Sequence, residues 1–155
     1  MRNDGPIAKR LADQLGAGAC ELVPVRETNQ LQQLWRETFA RRVHDATGKW
    51  THLQFDWHAF SYEFVYCLER DKAHSAYERQ AISEVLVLPN MNEELAWRCK
   101  SSVRPVLAGL DAYVCDPAFA WTMVFTHETG WYGPYFTTAE WAESREPGKK
   151  RSARR

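Results

Sequence analysis

The sequence predicts an α+β fold: a single domain with a mostly antiparallel sheet of about four strands and helices packed on it. Three observations predict it. Stretches with helical apolar spacing take turns with stretches of two-residue alternation. Only a short Asp-Pro-Ala turn separates DAYVC from FAWTMVFTH, which suits an antiparallel hairpin and leaves no room for a parallel crossover. The length of 155 residues suits one core, and 45% apolar with 26% charged residues is the composition of ordinary globular chains.

Residues 1–20 read as an N-terminal segment, Gly/Ala-rich, weakly ordered or helical. The α+β domain is expected over 21–144. ELVPV (Glu21–Val25) reads as a short edge strand, because Pro24 cannot donate to a central ladder. Asn29, with Gln32 three residues on, resembles a capping box. Leu31, Leu34, Trp35, Phe39 and Val43 then follow helical spacing, and that helix should end near Gly48. In THLQFDWH, Leu53, Phe55 and Trp57 alternate with polar residues, predicting a half-buried strand. Phe60, Phe64 and Leu68 return to helical spacing, and ERDKAHS (Glu69–Ser75) should break or bend that helix. AISEVLVLP (Ala81–Pro89) predicts a strand covered on both faces.

Asn90 reads as the cap of another helix, with Glu93 three residues on and Leu95, Cys99, Val103, Val106, Leu107 and Leu110 as its apolar side. Pro105 should kink or split it, and Gly109 should end it. In the hairpin, Phe119, Trp121, Met123, Phe125 and His127 should share one face, and Ala120, Thr122, Val124 and Thr126 the other. TGWYGP reads as a loop, and Thr137 or Thr138 as the cap of a last short helix through Trp141.

The formal net charge of zero hides an uneven distribution. Residues 145–155 hold six basic residues and one acid, so the remaining 14 basic and 19 acidic residues leave −5 on Met1–Ser144. The segment 145–155 reads as a basic disordered tail. Nucleic acid is expected as a partner only through that tail, because an acidic body repels phosphates. Aromatics at 13%, seven of them Trp, suit both a core and an interface. MRNDGPIAKR lacks the apolar region of a signal peptide, and no apolar run approaches a membrane span. A cytoplasmic protein is therefore expected, with Cys20, Cys67, Cys99 and Cys115 as reduced, buried thiols. Their spacing contains no CxxC or CxxH, so no structural metal is expected. The chain has neither a Gly-rich phosphate loop nor G-x-S-x-G, which argues against a nucleotide enzyme and gives no signature for Ser-His-Asp chemistry. No cofactor is expected.

Three clusters are candidates for function. His127 and Glu128 end the second hairpin strand, where an imidazole beside a carboxylate suits acid–base work, although adjacent strand residues point apart. DWHAFSYE (Asp56–Glu63) places Asp56, His58, Ser61, Tyr62 and Glu63 at a strand-to-helix junction. GWYGPYF (Gly130–Phe136) holds Trp131, Tyr132, Tyr135 and Phe136 on a loop stiffened by two glycines and a proline. Each has an ordinary alternative: a histidine bonded to a backbone carbonyl, a helix cap, an aromatic loop folded onto the core. If both strand ends share one sheet edge, His58, His127 and Glu128 would form a His/His/Glu metal triad or an acid–base set, though their spacing matches no known metal signature.

WHAFSYE (Trp57–Glu63) together with FAWTMVFTHETGWYGPYF (Phe119–Phe136) resembles the bacterial family catalogued as domain of unknown function 4275. LWRETFARRV and ERDKAHSAY are similar to it as well, and the likeness runs from about Val23 to Thr138, with THE…GPYF its most specific part. The chain departs from it at SEVLVLP, where a more aromatic strand ending in polar residues is expected, and in the basic tail. The resemblance implies a fold and a site location, and no activity. Two functions fit. One is a non-enzymatic binding protein with a protein partner, of the immunity type that neutralises a toxin, using Trp131, Tyr132, Tyr135, Phe136, Asp56 and Tyr62. The other is a small hydrolase-like enzyme, metal-dependent or not, built on His58, His127 and Glu128.

Overall fold

Two-residue alternation with apolar residues at both parities is what a strand needs when both its faces are covered. The structure, a computed structural model describing residues 4–90, 94–128 and 130–144, bears this out at its centre. β3 (Glu84–Pro89), β5 (Ala112–Cys115) and β6 (Trp121–Phe125) are almost wholly buried and pair antiparallel. The basic tail 145–155, Met1–Asn3 and the capping role of Glu93 lie outside the described residues.

Among the described residues the strands form one antiparallel sheet of seven, not about four, in the order β1-β4-β3-β5-β6-β7-β2. The outer members are β1 (Cys20–Leu22) and β4 (Trp97–Lys100) on one side, β7 (Tyr135–Thr138) and β2 (Leu68–Glu69) on the other. One face carries Leu86, Leu88, Tyr113, Cys115, Val124 and Tyr135, packed against α2 (Val25–Phe39), α3 (Arg41–Thr47), α4 (His58–Ser61) and α6 (Ala139–Glu143). The opposite face carries Val85, Val87, Ala112, Val114, Met123, Phe125 and Phe136, packed against α1 (Pro6–Leu15) and α5 (Arg70–Glu78). Trp35 anchors the first face. Its ring stacks on Tyr113 at 4.5 Å, and Nε1 donates to Thr122 Oγ1 at 3.0 Å. Such a pair adds about 0.5–1.5 kcal/mol beyond the area it buries.

Several expectations are corrected by identifiable contacts. The first long helix starts at Val25, not Asn29, because Pro24 supplies its N-cap with φ −59°; it breaks at Ala40, and α3 ends on Gly48 at φ +78°. THLQFDWH is not a strand. Leu53 is exposed with φ +58°, and the segment turns so that Asp56 points inward to Arg36, Nε–Oδ1 3.0 Å and Nη2–Oδ2 3.2 Å. Helical spacing after Phe60 lasts one turn, and the expected break at Glu69–Ser75 is instead the end of β2 at Glu69 and the first part of α5 from Arg70.

Where a helix is expected from Asn90 to Leu110, the described residues from 94 on form β4 and then irregular chain. Asn90 is buried, and its Oδ1 accepts from Asp56 N at 3.0 Å and Tyr113 OH at 2.6 Å, so it bridges two elements rather than capping one. Tyr135 and Phe136, expected on the aromatic loop, belong with Thr137 and Thr138 to the strand β7, which pairs with β6. Cys20 and Cys99, expected as thiols, are paired strand-to-strand as a disulfide between β1 and β4; Cys67 and Cys115 are free and buried, as expected. The hairpin pairing and the last helix stand as expected, with Thr138 Oγ1 accepting from Trp141 N at 3.1 Å. The expected shared face is shorter, because β6 ends at Phe125 and Phe119, in the turn at φ +59°, packs on Phe39 on the face opposite Trp121, Met123 and Phe125.

Candidate functional site

β5 and β6 pair Ala112 with Phe125, so Asp111 and the residues after Phe125 emerge at the same open end of the hairpin. Asp111 is the hub there. Its Oδ1 accepts from His127 N at 3.0 Å and from Trp57 Nε1 at 2.9 Å. His127 Nδ1 lies 2.9 Å from Oδ1 and 2.8 Å from Oδ2. The carboxylate can only accept, so the Nδ1 proton points at Asp111 and Nε2 is left for other partners. Nε2 faces Glu128 Oε1 at 3.6 Å. Asp111 is 10% exposed at its side chain and His127 41%, so a sheltered carboxylate orients an accessible imidazole.

Trp57 joins this pair to the DWHAFSYE segment. Its ring stacks on Phe55 at 5.3 Å and lies 4.3 Å from His58, 6.0 Å from His127 and 5.6 Å from Tyr132. His58 opens α4, and its Nδ1 shares a 2.8 Å hydrogen bond with Ser61 Oγ. Burial holds the His58 imidazole below its ordinary pKa, with nearby His52 lowering it further and Glu128 and Asp111 opposing. Beyond Glu128 the chain turns back, with Trp131 N and Tyr132 N both donating to Glu128 O at 3.0 Å. Thr126 Oγ1 donates to Tyr132 O at 2.7 Å. Gly133 sits at φ +76° against Thr126, where an added Cβ would lie 3.1 Å from Thr126 Cγ2, so glycine is required for this close return.

These elements enclose an open pocket of about 350 Å³. Phe55, Trp57, Tyr62 and Tyr132 give it aromatic walls, and His58, Ser61 and Glu128 give it polar groups. The two segments singled out in the sequence, 70 residues apart, thus converge on one depression. Tyr62, 53% exposed, and Tyr132, 44% exposed, form its open side, and Trp131, 80% exposed, lines the adjoining depression that shares Ser61 and Tyr132 with it. Three of the other candidates are withdrawn from the surface. Asp56 is buried against Arg36 and also accepts from Thr51 Oγ1 at 2.8 Å. Tyr135 and Phe136 are buried on opposite faces of β7. They position the loop and offer nothing to a partner.

Asp111, the centre of the arrangement, was not among the candidates. Its signal is the hairpin register, which places it diagonally across from His127. Among the described residues no three His, Cys, Asp or Glu side chains are gathered as a metal site requires, so His58, His127 and Glu128 do not form the metal triad. A second depression of about 240 Å³ lies between α1 and β1, is lined by Leu11, Cys20 and Trp97 among others, and holds no titratable side chain but the disulfide-bonded Cys20. No helix among the described residues is long and apolar enough to cross a membrane.

The model of the family described as Domain of unknown function (DUF4275) matches residues 21–136, three quarters of the chain. The chain belongs to this family. The DUF4275 match covers β1 through the start of β7, and with it every group that lines the pocket. No curated protein and no solved structure matches the chain.

Proposed function

We propose that this DUF4275 protein is a non-enzymatic binding protein that docks a protein partner on the aromatic rim of the hairpin-end pocket, in the manner of an immunity protein covering a toxin. One observation carries the reading. Trp131, 80% exposed, follows directly on the pocket's Glu128 turn and adjoins Tyr132, 44% exposed, on a loop held by hydrogen bonds at both ends. Preordered aromatic side chains of this kind supply binding energy at low entropic cost. The charge of −5 on Met1–Ser144 supports a basic partner, since complementary fields speed encounter.

The test is affinity capture from source-cell lysate with the wild type and with Trp131→Ala/Tyr132→Ala. A protein held by the wild type and released by the double variant, at unchanged Tm, is the expected result. That protein, expressed alone, should arrest growth, and co-expression of this chain should relieve it. Equal capture by both chains contradicts the reading.

A second reading rests on the Asp111–His127 pair. A carboxylate fixing Nδ1–H leaves Nε2 to exchange a proton, with Glu128 beside it and His58 across Trp57. In this hydrolase-like alternative His127 is the acid–base group. Turnover of activated esters that disappears in His127→Gln supports it, and no turnover across ester, phosphate and amide substrates removes it.

A further inference from the structure

We infer that the hairpin-end pocket recognises an arginine side chain of the partner. The inference rests on the binding reading above and names what the pocket holds. The pocket combines π-faces with a carboxylate. Trp57 and Tyr132 lie 5.6 Å apart and tilted by 33°, Phe55 backs Trp57, and Tyr62 closes the opposite side through its contact with His58 at 5.0 Å. Aromatic faces attract cations within about 6 Å of the ring centre.

The fixed charges agree. Asp111 and Glu128 are two carboxylates set against one imidazole, His127, so the trio carries −1 with that ring charged and −2 with it neutral. His58 is held below its ordinary pKa by burial, which leaves it without charge near neutrality. Beyond Tyr132, the adjoining depression holds Arg70 with Glu69 beside it. An anion would enter beside Glu128, whereas a cation would find that carboxylate as a partner.

Guanidinium suits the site better than ammonium. The volume, about 350 Å³, is large for a bare ammonium, and a planar guanidinium can stack on the exposed ring of Tyr132, which Trp57 backs from the core, while its edge meets Glu128. The acidic body points the same way, toward a partner with basic side chains. Trp131, outside the pocket, would then contact the partner's surface around the inserted side chain.

The probes are N-acetyl-arginine amide and its neutral isostere N-acetyl-citrulline amide, titrated into the full-length chain and followed by the Trp57 indole N–H and the Glu128 amide in ¹H–¹⁵N spectra. The expected result is saturable shifts with the arginine derivative and binding about tenfold weaker, or absent, with citrulline. Glu128→Gln should weaken arginine binding by about fivefold to tenfold and leave distant resonances in place, because Glu128 is partly exposed. Tyr132→Leu should weaken it as well, by removing a π-face at similar volume. Equal shifts with citrulline, shifts produced by acetate instead, or no shift with either probe overturn the inference. If a partner is captured through Trp131 but arginine does not enter the pocket, this inference fails and the binding reading stands. If arginine binds but no partner is captured, the binding reading fails and the pocket's preference remains.

Discussion

Asp111 accepts from two different segments of chain, Trp57 Nε1 and the backbone and ring of His127, while only 10% exposed. Asp111→Asn replaces an oxygen acceptor by an amide that already carries its own protons. One of the three donors then faces another donor, and stability should fall by about 1–3 kcal/mol. Chemical denaturation measures it. Trp57→Phe removes one donor and, at a side chain only 1% exposed, also leaves a void, so it should lower stability by about 1–3 kcal/mol. The same change should broaden the His127 ring signals.

His58 gives a pH dependence with a definite sign. Its folded pKa is lowered, mainly by burial, so the unfolded chain binds the proton more readily. The stability it protects is complete above about pH 6.5, the unfolded value, and is lost as pH falls through the lower folded value. His58→Gln should flatten the decline of Tm over that window relative to the wild type. An unchanged slope would contradict it.

At the scale of elements, β3 and the β5–β6 hairpin were legible because Val85–Leu88 and Trp121–Phe125 carry apolar residues at both parities and the five residues between β5 and β6 leave only antiparallel pairing. The stretch after Asn90 was not. Leu95, Cys99, Val103 and Val106 fall at helical spacing, yet Cys99 pairs with Cys20 and Val85 across strands, while Val103 and Val106 are exposed. Local period was overridden by pairing with segments 14 to 79 residues away, which no local pattern records. The loop 48–57 was misread for the same reason. Asn90 holds it from the end of β3, through Asp56 N and Gln54 O. Asn90→Ala would leave Asp56 N and the buried Tyr113 hydroxyl without their acceptor, at a cost of about 2–4 kcal/mol. Because that loop carries Phe55 and Trp57, the pocket should loosen with it, visible as faster hydrogen exchange at Trp57.

Over the whole molecule, helices pack on both faces of the sheet, and the pocket opens at one end of the hairpin. The sequence located both halves of that site, His58 with Tyr62 and Glu128 with Tyr132, but their meeting depends on Asp111 and Trp57, 54 residues apart. At this scale the Cys20–Cys99 disulfide joins edge strand β1 to β4 and closes a long loop, with a sequence separation of 79. Reduction, or Cys20→Ala/Cys99→Ala, should lower stability by about 2–4 kcal/mol, and alkylation of the unfolded, unreduced chain should label two thiols rather than four.

The central claim is that the exposed rim binds a partner. The most direct measurement is the Kd of the captured partner for the wild type and for Trp131→Ala, which removes a side chain 80% exposed. A loss of about 2 kcal/mol or more, roughly thirtyfold in Kd, at unchanged Tm is the predicted result. Equal affinity would contradict the account.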